Sequence, residues 1–414
     1  MSDIEVRFIE EAELRQYRDA IVRGFGADPG EMTAEELERY GTVNVTETSI
    51  VAVDHGRFVA TFGSYDLEVT VPGGHTLDVA GTTHVTVHPT HRRLGLLRRM
   101  MEMHVEQAAE RNQPAAALWA SEETIYGRFG YGPACLGVSI SVPERSVTIS
   151  PPPAGGSLRS IDADDARRIF PEVYRRVLPT QPGLFARSEG WWEQRFFSDP
   201  KDRREGATAL RYVVAERNGE PVGYVMYRQR EPGQVATMTG PARDGSVVIQ
   251  EIISVDDDAR QALWSFALNV DLYRNVEWWN APVDEPILVD ADRFRTLGRT
   301  TIDTMWFRVL DVAECLTGRS YERDGTLVIE VIDPSLDRTS TVELVVSDGR
   351  AACTATDAAP DVSLDVAELS ALYLGGRSAV QLARAGRIAG SEAAVATLDE
   401  LMRTRRAPHC IEVF

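Results

Sequence analysis

The stretch THVTVHPTHRRLGLLRRMM, residues 83–101, constrains this chain more than any other. Its first half is β-branched and stops at Pro89, which has no N–H to give a strand ladder. After Gly95 the apolar residues fall at 97, 100, 101, 105 and 108, the period of a helix. The run PAAALWA (114–120) then reads as a buried strand. Strand, loop, helix and strand in that order make a parallel pair joined by a helical crossover. Upstream, SIVAVD (49–54) and FVATFGSYDLEV (58–69) flank Gly56 as a hairpin. Downstream, RYVVAERNGEPVGYVMYRQR (211–230) turns at Asn218-Gly219. GSVVIQEIIS (245–254) and ARQALWSFALNVD (259–271) follow as strand and helix. Hairpin, strand and helix therefore occur in both of the first two thirds. The last third holds TLVIEVID and TVELVVSD as strands, then DVAELSALYLGG (365–376) and residues 391–403 as helices. The fold class is α/β, and SPPPAGG (150–156) is the clearest linker.

A length of 414 residues predicts two or three domains. The formal net charge of −19 argues against nucleic acid as a partner, whose phosphates need cations, and suits cationic substrates. No apolar run reaches the length of a membrane span, and the polar, acidic start carries no secretory signal. Cys135, Cys315, Cys353 and Cys410 are too widely spaced for a disulfide framework or a metal knuckle, so a reducing cytoplasm is expected.

Against that acidity, Arg92, Arg93, Arg98 and Arg99 crowd the start of one helix. The helix dipole disfavours cations there, so the cluster asks for an anionic ligand. Unpaired N–H groups at a helix start, Gly95 without a Cβ, and two flanking guanidiniums suit a diphosphate. Neither GxxxxGK[ST] nor GxGxxG is present, which disfavours a nucleoside triphosphate or NAD. His84, His88 and His91 are spaced four and three apart, but Pro89 interrupts them and no HExxH or cysteine joins them, so no metal is expected. In SEETIYGRFGYG (121–132) Ser121 is the expected N-cap of a short helix that ends near Tyr126.

VTVHPTHRRLGLLRRMM resembles the acetyl-CoA-binding motif of the GCN5-related N-acetyltransferases, R/Q-x-x-G-x-G/A after a central strand. Here the motif reads Arg92, Arg93, Leu94, Gly95, Leu96, Leu97, with Leu97 where glycine or alanine is usual. WASEETIYGRFGYGPA (119–134) resembles the segment after the next strand of that superfamily. With LSALYLGGRSAVQLARAGRI and a terminal phenylalanine, nearly the whole chain is similar to the enhanced intracellular survival (Eis) acetyltransferase family. The resemblance implies tandem N-acetyltransferase folds followed by a sterol-carrier-like α/β domain. The implied domains are 1–149, which binds acetyl-CoA, a degenerate 150–294, and 295–414. A homohexamer is implied as well.

The same resemblance implies acetyl transfer from acetyl-CoA to primary amines of aminoglycoside-like small molecules. It makes Tyr126 the general acid and the terminal carboxylate of Phe414 the general base. His84 competes as base, with a reference pKa near 6.5 against about 3.3–3.7 for a terminal carboxyl. The backbone of Val85, Thr86 and Val87 would line the pantetheine, with Arg92–Leu97 and Ser121 completing the cofactor contacts. Phe25, Asp28, His84 and Glu412 would face the amine. In the second fold VDDDARQALW places Asp256, Asp257 and Asp258 where a phosphate seat would need arginine, so that fold is expected to bind no CoA. Two other readings stand beside this one. The acceptor could be protein lysines or small arylamines, or the chain could be a lipid-binding protein acting through its last third.

Overall fold

The computed structural model describes residues 4–41, 43, 46–143, 147, 156–231 and 245–414. Most of the expected linker, residues 150–155, and the expected boundary at 149 lie outside the described residues. In chain order the strands of the first third are β1 (Glu5–Phe8), β2 (Ile50–Asp54), β3 (Arg57–Thr70), β4 (Thr76–Val87), β5 (Ala115–Trp119) and β6 (Gly132–Pro133). Then come β7 (Leu136–Pro143), β8 (Gly156–Ile161), β9 (Arg211–Arg217), β10 (Glu220–Arg230), β11 (Ser246–Ser254), β12 (Asn275–Pro282) and β13 (Gly298–Asp303). The remainder are β14 (Met305–Val309), β15 (Gly325–Asp333), β16 (Arg338–Ser347), β17 (Arg350–Ala355), β18 (Val362–Asp365) and β19 (Ile388–Gly390).

Two compact units result. The first comprises Met1–Cys135, Thr304–Arg405 and Glu412–Phe414; the second comprises Leu136–Asp303 and Arg406–Ile411. The first unit has a sheet ordered β1-β2-β3-β4-β5-β14-β6 and a second sheet ordered β17-β16-β15-β18-β19. The second unit has one sheet ordered β13-β7-β12-β11-β10-β9-β8. Sheet membership does not follow the expected boundaries at 149 and 294. β7 follows the first fold in sequence yet pairs with β12 and β13, and β14 lies inside the first sheet against β5. Alternation of apolar residues marks a strand but does not choose its neighbour.

Local signals explain the elements around the site. The helix Leu96–Glu110 buries Leu96, Met100, Met101, His104 and Ala108, one stripe at helical spacing. It packs mainly against β4 and β3, and its Met100, Met101 and Ala108 share one apolar cluster with Ala116 and Leu118 of β5. Asn218 (φ 53°) and Gly219 (φ 83°) supply the two left-handed residues of a type I′ hairpin. The parallel pairing of β4 with β5 runs only from Val79↔Ala115 to Thr82↔Leu118. Beyond it β4 continues to Val87 while β5 ends at Trp119. A bulge sets this parting: Thr61 faces Thr86 and Gly63 faces Thr83, so His84 and Val85 oppose one residue of β3. His84 takes the left-handed backbone this requires, at φ 54°.

Candidate active site

A cleft of about 1140 Å³ lies beside the parted strands, and its whole lining belongs to the first unit. Val85, Thr86 and Val87 form one wall, and Ser121, Ile125 and Tyr126 another. Its floor at one end is the start of the helix Leu96–Glu110, with Arg92, Arg93, Gly95 and Arg98 around it. Gly95 is the N-cap in left-handed conformation (φ 79°), and no side chain caps this helix. Its opening amides and dipole therefore remain available to an anion, and three guanidiniums add charge. The volume lies just above the range of about 300–1,000 Å³ usual for small-molecule sites.

The helix Asp257–Leu268 of the second fold shows the opposite arrangement. Asp256 caps it by accepting from Ala259 N–H at 2.9 Å. Arg217 binds both oxygens of Asp256, at 2.8 and 3.0 Å, and holds this carboxyl below the usual range. That helix start is capped by its own carboxylate.

Tyr126 ends the four-residue helix Glu123–Tyr126 and is 4% exposed on the cleft wall. Burial pushes its hydroxyl pKa up, partly offset by a hydrogen bond with Ser121. The phenol therefore keeps its proton at neutral pH. Ser121 is not the N-cap expected of it. That position is Glu122, whose side chain makes no capping bond, because the chain turns into the helix one residue later. Edge-on to Tyr126, at 6.1 Å between centroids, is Tyr131. Thr82 Oγ1 links Tyr131 Oη (2.8 Å) to His104 Nε2 (2.9 Å) in a buried chain. Burial pushes His104 down to about 3 and Tyr131 up to about 12, so both stay neutral. Thr82 is the last β4 residue paired to β5, so this network braces the point where the strands part.

His84 sits in a ring of tyrosines. Tyr65 Oη is 3.3 Å from its Nε2 and Tyr17 Oη is 3.5 Å from its Nδ1. Tyr17 donates its proton to the Phe62 carbonyl at 2.9 Å. Nδ1–H is then the donor toward Tyr17, which leaves Nε2 to accept from Tyr65. The Phe414 ring lies 6.4 Å from Tyr65, nearly perpendicular to it. Phe414, Tyr65 and His84 thus form one cluster at the bulge of β4.

The expected residues divide accordingly. Phe25, Val85, Thr86, Val87, Arg92, Arg93, Gly95, Leu96, Leu97, Ser121 and Tyr126 line the cleft. Leu94 points outward at 56% exposure, and Asp28 is exposed and outside the lining. Glu412 is buried rather than open to solvent, and it, His84 and Phe414 also fall outside that lining. The histidine triplet does not converge: His91 Nε2 meets Asp54 at 3.1 Å and His88 Nδ1 meets Thr90 at 2.7 Å. Among the described residues no cluster of three or more His, Cys, Asp or Glu is arranged for a metal.

Reading the sequence missed Tyr17, Tyr65, Tyr131 and Arg308. Arg308 of β14 is 1% exposed, bonds Asp333 (3.1 Å) and Ser335 (3.0 Å), and reaches the cleft lining. No local pattern marks these residues: Tyr65 and Arg308 are placed by strand pairing, Tyr17 by a helix, and Tyr131 by the loop before β6. No described helix is long and apolar enough to cross a membrane.

The acetyltransferase (GNAT) domain family matches residues 5–134 and, in a second form, residues 183–309; the sterol carrier protein domain family matches 312–411. An uncharacterized N-acetyltransferase of Streptomyces avermitilis is 35% identical over 93% of this chain and 93% of its own length. The N-acetyltransferase Eis of Mycobacterium tuberculosis is 34% identical over 86% of each chain. The crystal structure of Eis1 from Mycobacterium abscessus superposes with a TM-score of 0.84 at 27% identity, covering 99% of this chain and 100% of that one.

Proposed function

Since the chain belongs to the Eis family of GCN5-related N-acetyltransferases, we propose that it acetylates primary amines of aminoglycoside-like polycations, through Tyr126 and the Phe414 carboxylate. It is an acetyltransferase of two GNAT folds followed by a sterol-carrier-like domain, and the GNAT fold implies acetyl-CoA as co-substrate. The observation that carries the reading is the contrast between the two helix starts. One is uncapped and ringed by arginine; the other is closed by Asp256 and Arg217. Only the first fits a diphosphate.

Acetyl-CoA supplies an activated thioester and a thiol leaving group. Arg92, Arg93 and the amides opening the helix at Leu96 hold its diphosphate, with Ser121 and Leu97 alongside. The backbone of Val85, Thr86 and Val87, unpaired on the β5 side, binds the pantetheine and orients the acetyl group. Tyr126 gives its proton to the departing thiolate; its raised pKa keeps that proton in place until needed. The Phe414 carboxylate accepts a proton from the substrate ammonium. His84 is the alternative acceptor, taking the proton through the Tyr65 hydroxyl that its Nε2 engages. Phe25 offers an apolar wall at the mouth of the cleft. The net charge of −19 draws polycations toward the protein. The protein is proposed to act as a homohexamer in the cytoplasm.

The test is thiol release from acetyl-CoA by untagged protein across a panel of aminoglycosides, small arylamines and lysine peptides. Turnover confined to aminoglycosides supports the reading. Turnover confined to arylamines or lysine peptides replaces the acceptor class.

A further inference from the structure

The second fold repeats the parted strands of the first without its phosphate seat. Its parallel pairing runs from Ser246↔Asn275 to Ile249↔Trp278, after which β11 continues to Ser254 and β12 to Pro282. The equivalent stretch of β4, three to five residues past its last pair, is Val85–Val87 of the cleft wall. In the second fold the chain's own end lies at this place. Asn280 Nδ2, two residues past the last pair, donates to the Cys410 carbonyl at 2.9 Å. Gln181 Nε2 donates to the Ala407 carbonyl at 2.6 Å, and Ala407 N–H donates to Asp284 at 3.0 Å. His409 N–H donates to the Pro182 carbonyl at 2.9 Å. His409 and Cys410 are buried, and Ile411 packs on the apolar cluster that includes Tyr224 and Ile253. All of these groups belong to the second unit, while the next three residues, Glu412–Phe414, belong to the first.

We infer that the second fold is a clamp for the C-terminal tail: the opening that serves the thioester in the first fold holds residues 407–411 in the second. Asn280, Gln181 and Asp284 are positioning residues that hold this segment of the tail in one register. A chain terminus ordinarily frays. Here Phe414 is only three residues past the last clamped position, a reach of about 10 Å of extended chain. A slip of one residue would carry the carboxylate about 3.3 Å, beyond hydrogen-bond range of a proton it must take. The degenerate fold thereby acquires a role of its own. The catalytic consequence rests on the reading of Phe414 as base; the clamp itself does not.

Hydrogen exchange of the full-length protein, read on peptides spanning 406–414, tests it together with steady-state kinetics. Asn280→Ala, Gln181→Ala and Asp284→Ala should each speed exchange of the tail amides about threefold to tenfold, with β10 and β11 peptides unchanged. The kcat for amine acetylation should fall about as much, while KM for acetyl-CoA holds. If Asn280→Ala loses protection across β11, the other two variants, at more accessible sites, decide alone. Unchanged tail exchange in those two overturns the clamp. Faster tail exchange with undiminished kcat keeps the clamp and removes Phe414 as the base.

Discussion

Reversing Arg92 and Arg93 together to glutamate probes the diphosphate seat proposed at the start of the helix Leu96–Glu110. Both side chains are exposed, so the dielectric of water governs them. A unit charge pair at about 4 Å is then worth about 1 kcal/mol. Reversal replaces each attraction with a repulsion of similar size, ~2 kcal/mol per position and ~4 kcal/mol for the pair. Screening over a Debye length of about 8 Å trims this to ~3 kcal/mol, or roughly a hundredfold in affinity. Calorimetric titration with acetyl-CoA near physiological salt should therefore show Kd rising about a hundredfold. The gap should narrow in about 1 M salt, where the screening length drops to about 3 Å. The matching change in the second fold is Asp257→Lys with Asp258→Lys, which spares the capping Asp256. It should leave Kd unmoved, because that helix start is already closed. Binding by the arginine variant within threefold of the parent at low salt would mean the diphosphate sits elsewhere, and the cleft would lose its assignment.

Tyr126→Phe should lower kcat by about a hundredfold to ten-thousandfold and leave acetyl-CoA affinity nearly unchanged; thiol release and calorimetry separate the two. Unchanged turnover removes the tyrosine as acid. Deleting Phe414, or extending the chain with a C-terminal tag, should abolish most turnover with acetyl-CoA binding intact, and full activity in either excludes the terminal carboxylate. His104 and His409 are both pushed down to about 3 by burial. They are neutral when folded but take a proton near pH 6.5 when unfolded, so stability is full above about 6.5 and drains as pH falls toward about 3. Each contributes a slope of about 1.4 kcal/mol per pH unit within that window. Urea unfolding at about pH 7 and about pH 5.5 should show the loss, and His104→Gln should reduce it; an equal loss in that variant would refute the assignment to His104.

What could be read without coordinates was local. Pro89 ends β4 near where it was expected, Gly95 opens the helix, and the apolar spacing after it names the buried face. Asn218-Gly219 makes its hairpin, and the aspartate run caps its helix, because a turn or a cap is settled by the residues within it. The family motif carried the arginine loop, and Tyr126 falls on the cleft wall. Ser121 shows the grain of such reading, since the cap lies one residue further on.

Tertiary structure alone decided what depends on energy between distant segments. Nothing in β14 says it will join β5, almost two hundred residues earlier in the chain. The bulge that turns His84 toward Tyr17 and Tyr65 is a mismatch of register between two strands, visible only when both are laid side by side. The tail is the clearest case. As a sequence, APHCIEVF is a short, mostly apolar end; in the fold Ala407 and Cys410 are held by Gln181, Asp284 and Asn280, and the Phe414 ring lies against Tyr65. Periodicity and capping are properties of a segment and survive in a string of letters. Partner choice is a difference in free energy between whole arrangements, and only the folded chain resolves it.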